Sequence, residues 1–331
     1  MVTKTTSPWN PHKVWIGLAV ATLAAVGAVH GPCATPAGTG ESPTAGGVRP
    51  WRGPGIPKPF DDPRSNDIRT VAAAGLHTYR RSLPEWEGTF LVRDESTEAM
   101  EKWAKSHGFG SGPLALCKRI HAARSGRKWR VDVSYLDDKG QATETVSNTW
   151  DGTRHRSLQK SSDGRSYGII ESTPVSVFGG ELDTVESLLT ASDLDNFDFD
   201  LAYYAGISKI GARDTECYVR SSDVGWRAIW LDPRRSYAPV RVVTGSHRGP
   251  DSSLADYADW RQDELGRWVA YSRVEQMSAP DRDELGKTVR VQIETLKRQV
   301  SDQLFDGPEF PTGTEVWDRE KGTQYVVGAD S

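Results

Sequence analysis

The sequence predicts an α+β protein built on one large curved antiparallel sheet, an incomplete β-barrel of about nine to eleven strands with a few helices covering its concave face. Three observations predict it. Short runs of alternating apolar and polar residues recur along the chain. Asp-Gly and related turn dipeptides separate them at hairpin spacing. Only a few stretches carry helical spacing. That many twisted strands curl or split, and helices laid in the concavity are the economical cover.

The first residues point to export. Lys4 and Lys13 are followed by the apolar run Val14–Val29, which has the order of a secretory signal. Val26-Gly27-Ala28 places small or β-branched residues where a signal peptidase cuts, so residues 1–28 read as a signal peptide. The alternative is a retained anchor, although sixteen helical residues span only ~24 Å of a ~30 Å hydrocarbon core. Cys33 follows His30-Gly31-Pro32, which lacks the residues of a lipoprotein cleavage box. Residues 29–64 read as a disordered Pro/Gly-rich leader: 15 of the 34 residues from 31 to 64 are Gly or Pro. Such a segment buries too little apolar surface to offset its ordering entropy.

A single folded domain, 65–331, is expected next. Ile68, Val71, Ala72, Leu76 and Tyr79 predict a helix over 66–82, capped by Asn66 or Asp67 and stopped by Pro84. Trp86–Arg93 reads as a strand, and Ser96–His107 as a helix closed by Gly108. Leu114–Arg124 fits either period. From Trp129 the pattern turns to hairpins, with turns at 137–140, Asp151-Gly152 and Asp163-Gly164. A short helix fits 183–191. A second strand series follows over 215–221, 226–232, 239–245, 254–262, 267–276 and 288–298.

The motifs Ile229-Trp230-Leu231-Asp232-Pro233, Tyr237-Ala238-Pro239-Val240-Arg241, Asp263-Glu264-Leu265-Gly266-Arg267-Trp268, Phe310-Pro311-Thr312-Gly313-Thr314-Glu315-Val316-Trp317-Asp318 and Tyr325-Val326-Val327-Gly328 carry a resemblance. Over residues 66–328 the chain resembles the LolA/LolB-like periplasmic lipoprotein-carrier fold. It is most similar to the planctomycete-type outer-membrane lipoprotein-sorting proteins. The resemblance implies an incomplete barrel with a helical lid and an apolar cavity that takes acyl chains. It also implies a periplasmic or cell-envelope setting, and a lipid acyl chain, a lipoprotein or another envelope protein as partner.

The residues supply their own reason to expect an apolar ligand. Trp129, Val131, Val133 and Tyr135 form one alternating row, and Trp226, Ala228 and Trp230 another. On a concave face they would line a pocket; under helices they would be core. Cys117 and Cys217 could pair as a disulfide in an oxidising compartment or remain buried thiols.

Composition excludes other classes. Among 331 residues, 41 Lys and Arg against 45 Asp and Glu give a net charge of −4, without the basic surplus of a nucleic-acid binder. The seven histidines form no H-E-x-x-H pair, and no cofactor or metal is expected. Residues 108–112 lack the third glycine of a dinucleotide loop, the Lys-Ser/Thr of a P-loop and the spacing of a nucleophile elbow. Asp193, Asp195, Asp198 and Asp200 read as a solvated turn or a calcium loop without its closing glutamate. The expected function is non-enzymatic binding of an acyl chain or lipoprotein. The alternative is an envelope sensor or protein-interaction domain using the same sheet, with membrane contact only through an uncleaved N-terminus.

Overall fold

The computed structural model describes residues 55–107, 115–174, 179–247, 252–279 and 285–328. The expected signal peptide, Cys33, most of the leader and the glycine run at 108–112 lie outside the described residues. Among the described residues the helices are α1 (Ser65–Arg81), α2 (Glu98–Ser106) and α3 (Gly179–Thr190). The strands before α3 are β1 (Glu85–Ser96), β2 (Ala115–Ser125), β3 (Lys128–Leu136), β4 (Ala142–Trp150), β5 (His155–Lys160) and β6 (Ser166–Glu171). After it come β7 (Ala202–Ile210), β8 (Arg213–Ser221), β9 (Gly225–Asp232), β10 (Ala238–Ser246), β11 (Ser252–Gln262), β12 (Trp268–Ser278) and β13 (Leu285–Lys297). Two short strands, β14 (Glu315–Asp318) and β15 (Thr323–Val326), end the chain.

All fifteen strands join one sheet in the order β15-β14-β6-β5-β4-β3-β2-β1-β13-β12-β11-β10-β9-β8-β7. It consists of two meanders, β1–β6 and β7–β13. They are sewn together where β1 pairs antiparallel with β13, from Glu87 opposite Lys297 to Ser96 opposite Lys287. The pairing of β14 with β6 is parallel. The large, open, curved α+β sheet expected from the sequence is present, with more strands than expected. Strand β7 escaped notice because a bulge between Tyr204 and Ile207, with Gly206 at φ +92°, breaks its alternation. The ambiguous 114–124 segment is β2. Helix α1 begins at Ser65, and neither Asn66 nor Asp67 caps it. In α2 the Thr97 side chain accepts from the Met100 N–H and caps the helix.

One face of the sheet holds the core. Val131 and Val133 on β3 belong to the same buried cluster as Ala202 and Tyr204 on β7. These strands stand nine steps apart, ~43 Å on a flat sheet at ~4.8 Å per step. The cover between them is α1, α3 and the turn after α3, and a helix is only ~10–12 Å across. A flat sheet could not reach this cover from both sides, so it curls into a trough. Leu76 and Tyr79 of α1 and Val185, Leu188 and Leu189 of α3 fill it. Helix α2 rests beside β13 and buries no residue.

The convex face between β13 and β3 is charged. Lys297 pairs with Glu87, which also meets His121 Nε2 at 3.1 Å. His121 Nδ1 lies 3.5 Å from Asp132, itself 2.7 Å from Arg130. Further along, residues 57–60 sit against β7. The Tyr203 hydroxyl donates to Pro57 O at 2.7 Å, and the Phe60 N–H donates to Tyr204 O at 2.9 Å.

Two measurements check this account. Leu188 is fully buried in the helical plug, so Leu188→Ala should cost ~2–5 kcal/mol in urea unfolding, whereas Leu265→Ala on an exposed turn should stay within ~0.5 kcal/mol. Hydrogen bonding to Asp132 raises the pKa of His121, against burial and with help from Glu87. The resulting stability is complete below the unfolded pKa of ~6.5 and fades as pH rises through the folded value. The stability difference between wild type and His121→Gln should therefore be larger at about pH 5.5 than at about pH 8.5.

Candidate functional site in the helix-covered trough

The trough lining comes from alternate residues of ten neighbouring strands. Phe90, Val92, Ile120, Val131, Val133, Tyr218, Ile229, Leu231, Val242, Tyr257, Val291 and Ile293 all point to its helical plug and are buried. They are mainly β-branched or aromatic, which suits a pleated surface buried on one side. Of the first predicted row, Val131 and Val133 lie inside this core, with Trp129 and Tyr135 half-buried at its margin. Burial pushes the Tyr135 hydroxyl up to about 12, and the Lys118 ammonium sits 5.7 Å above its ring.

The second row lies elsewhere. Along β9, Ile229 and Leu231 face the helices, so Trp226, Ala228 and Trp230 face the other way. They form a separate convex-face cluster with Cys217, Val219 and Val243. The two rows therefore do not line a common cavity. Sequence alternation identified both rows but could not say which phase of β9 met the helices, because Ile229, Trp230 and Leu231 are all apolar.

Cys117 and Cys217 do not bridge. They sit on β2 and β8, seven strand steps apart and both on the convex face, ~34 Å along the sheet. A disulfide requires Cα atoms within ~7 Å. Burial pushes the Cys217 thiol up to about 12, which makes it unreactive.

Polar clips at the rim hold the plug down. From β2, Lys118 Nζ pairs with Glu181 of α3 at 3.0 Å, and Arg124 pairs with Glu186. On the far wall, Arg227 donates to Asp193 O at 2.9 Å. The nearly buried Arg273 lies 3.5 Å from the Asp193 carboxylate and 3.0 Å from Glu275. Burial raises the Asp193 pKa against the pull of Arg273. Helix α1 is fastened by Arg80 to Asp195 and by Arg69 to Ala202 O. The aspartates of 193–200 thus hold arginines and turn N–H groups: Asp198 accepts from the Asp200 N–H at 2.9 Å. Among the described residues no cluster of His, Cys, Asp and Glu could hold a metal ion. The Asp193–Arg273 pair was invisible in sequence because its members lie 80 positions apart on different elements.

Gly75 brings α1 against the wall. A Cβ there would sit 2.2 Å from the Tyr237 ring, so only glycine admits this contact. Clefts open at the rim of the plug. One of about 260 Å³ runs between α1 and the turn after α3, lined by Leu76, His77, Arg80, Phe197 and Phe199 among others. A second, of about 240 Å³, lies between α3 and β9–β12 beside Asp193, Arg227 and Arg273. Both are smaller than the ~300–1,000 Å³ usual for small-molecule pockets. The continuous apolar cavity expected from the resemblance is replaced here by the packed helices. Among the described residues no helix is long and apolar enough to cross a membrane.

Comparison with protein-family models and with curated proteins gives no match. Solved structures give distant likenesses. A domain described as an outer membrane lipoprotein-sorting protein from Vibrio parahaemolyticus is 13% identical, with TM-score 0.41, over 71% of this chain and 97% of its own. The Mycobacterium tuberculosis lipoprotein LppX is 11% identical, with TM-score 0.27, over 72% of this chain and 99% of its own. MucB, in complex with MucA(peri), is 12% identical, with TM-score 0.21, over 70% of this chain and 100% of its own. These are similarities to lipoprotein-sorting and lipoprotein structures, and no residue role passes from them to this chain.

Proposed function

We propose that this protein is a non-enzymatic carrier of the cell envelope that shelters an acyl chain, free or on a lipoprotein, in its trough, with α1 and α3 as the lid. One observation carries the reading: ten neighbouring strands turn a single apolar face toward the helices. Lifting them would open a continuous greasy channel. Rim ion pairs, which water can replace, set the position of the lid. Its apolar contacts are the part that a hydrocarbon chain could substitute in kind. The reading includes a cleaved signal over residues 1–28, a spacer over 29–64, a single domain over 65–331 and a planctomycete-type sorting role.

A second reading is supported by the outer edge of β7, which residues 57–60 cover only in part. Leu201 and Ile207 on or beside β7 are 65% and 69% exposed, and Phe60 beside them is 55% exposed. An apolar strip along a partly covered edge strand favours a partner that adds its own strand, as an interaction domain would use.

Native mass spectrometry of the delipidated full chain titrated with palmitic acid separates these readings. The carrier retains one acyl chain, and Gly75→Ala, which forces α1 away from Tyr237, loads faster. If neither wild type nor Gly75→Ala retains an acyl chain, the carrier reading falls.

A further inference from the structure

A cleft of about 270 Å³ opens at the end of the sheet formed by the β7–β8, β9–β10 and β11–β12 turns, outside the trough. Its walls are Ala212, Arg213, Asp214, Asp232, Arg234, Arg235 and Trp268. Three guanidiniums therefore meet two carboxylates in a chain whose net charge is −4.

The acids are already engaged. Asp232 accepts from Arg235 Nη1 at 2.9 Å and from the Arg234 N–H at 2.9 Å. Asp214 faces Lys209 at 3.7 Å. Arg235 is held in place by Trp268, whose ring centroid lies 4.6 Å from its guanidinium carbon, and by Trp260 at 5.6 Å. Among the described residues, the Arg213 and Arg234 guanidiniums have no hydrogen bond or short ion pair. Arg213 is half-buried, and burial together with the charge of Arg235 lowers its pKa. Like charges crowded around a cavity are unfavourable unless an anion enters.

We propose that the cleft bounded by Arg213, Arg234, Arg235 and Trp268 is a binding site for a phosphate or phosphoester group. Guanidinium forks match phosphate oxygens two at a time, and three forks supply more donors than a carboxylate has room to accept. The rigid stacking of Arg235 on Trp268 pre-orients one fork, which lowers the entropy lost on binding. The volume is too small for an acyl chain. The inference stands apart from the carrier reading, because the cleft is formed with the lid closed.

Trp268 is a built-in reporter. The full chain would be titrated, at low salt and with tryptophan emission followed, with inorganic phosphate, with sn-glycerol 3-phosphate and with phosphatidylglycerol vesicles. Phosphatidylcholine vesicles serve as the net-neutral control. At least one phosphate probe should bind with Kd below ~1 mM, and R213Q/R234Q should weaken it about tenfold. Arg213 opens β8 and Arg234 lies on the β9–β10 turn, and an unchanged Tm shows the fold intact. Asp214→Asn, which removes a repelling charge, should tighten binding about two- to threefold. Binding of glycerol phosphate and phosphatidylglycerol identifies a lipid headgroup as the source; binding of inorganic phosphate alone identifies the free ion. If no phosphate probe binds below ~1 mM, or if R213Q/R234Q binds as wild type does, the proposal is overturned.

Discussion

The pairing of β1 with β13 is the contact on which the architecture depends. It joins residues about two hundred positions apart, and each meander would otherwise end in a bare edge at this seam. Close approach is required there. A Cβ on Gly88 would meet Thr295 O at 2.8 Å and the Phe90 ring at 2.9 Å. The bulge at Thr89/Phe90 adds local twist beside that glycine. Neither meander alone brackets the plug: β2 supplies the clips to α3, while β9 and β12 supply those to the turn after it. Such a seam closes a long loop before any contact repays it, which makes folding slow relative to the local hairpins.

The helical plug combines two kinds of force with different ranges of action. Its apolar side chains contribute through area removed from water, without direction. Its ion pairs fix where each helix sits, and at the half-exposed rim they add little net stability. The nearly buried Arg273 is the exception. It meets Asp193 and Glu275 together, and removing either acid would leave a desolvated cation short of a partner. The division assigns cohesion to the centre of the trough and position to its margin.

Much of this was legible in the chain, and the failures have physical causes. The Asp-Gly turns at 151–152 and 163–164 fixed the first meander, and Ile68 to Tyr79 fixed α1 because a 3.6-residue stripe has few competing interpretations. Val131 and Val133 of the row Trp129 to Tyr135 turn toward the helices. The row Trp226 to Trp230 turns away from them, a phase the sequence could not give because both phases of β9 are buried, one under helices and one in the convex cluster. The C-terminal motifs around Glu315 and Tyr325 were visible as residues but not as strands: β14 lies parallel to β6, which no hairpin signal announces. Rim arginines such as Arg273 and Arg213 were unreadable for another reason. Arg273 meets Asp193 from the turn after α3, the residues around Arg213 come from other turns, and an arginine in a strand otherwise looks like any solvent-facing charge.

The backbone bond from Phe60 to Tyr204 bears on how the open sheet guards its edge. A fifteen-stranded open sheet must protect two borders, and the short β15 is a poor template for recruiting another copy. Strand β7 is long and greasy, and the stretch around Pro57 to Phe60 occupies part of its unsatisfied hydrogen-bonding row, with prolines that cannot pass the ladder onward. What reads as the tail end of a tether thus acts as a bumper against self-association, and a shortened chain that began at Ser65 would have lost it.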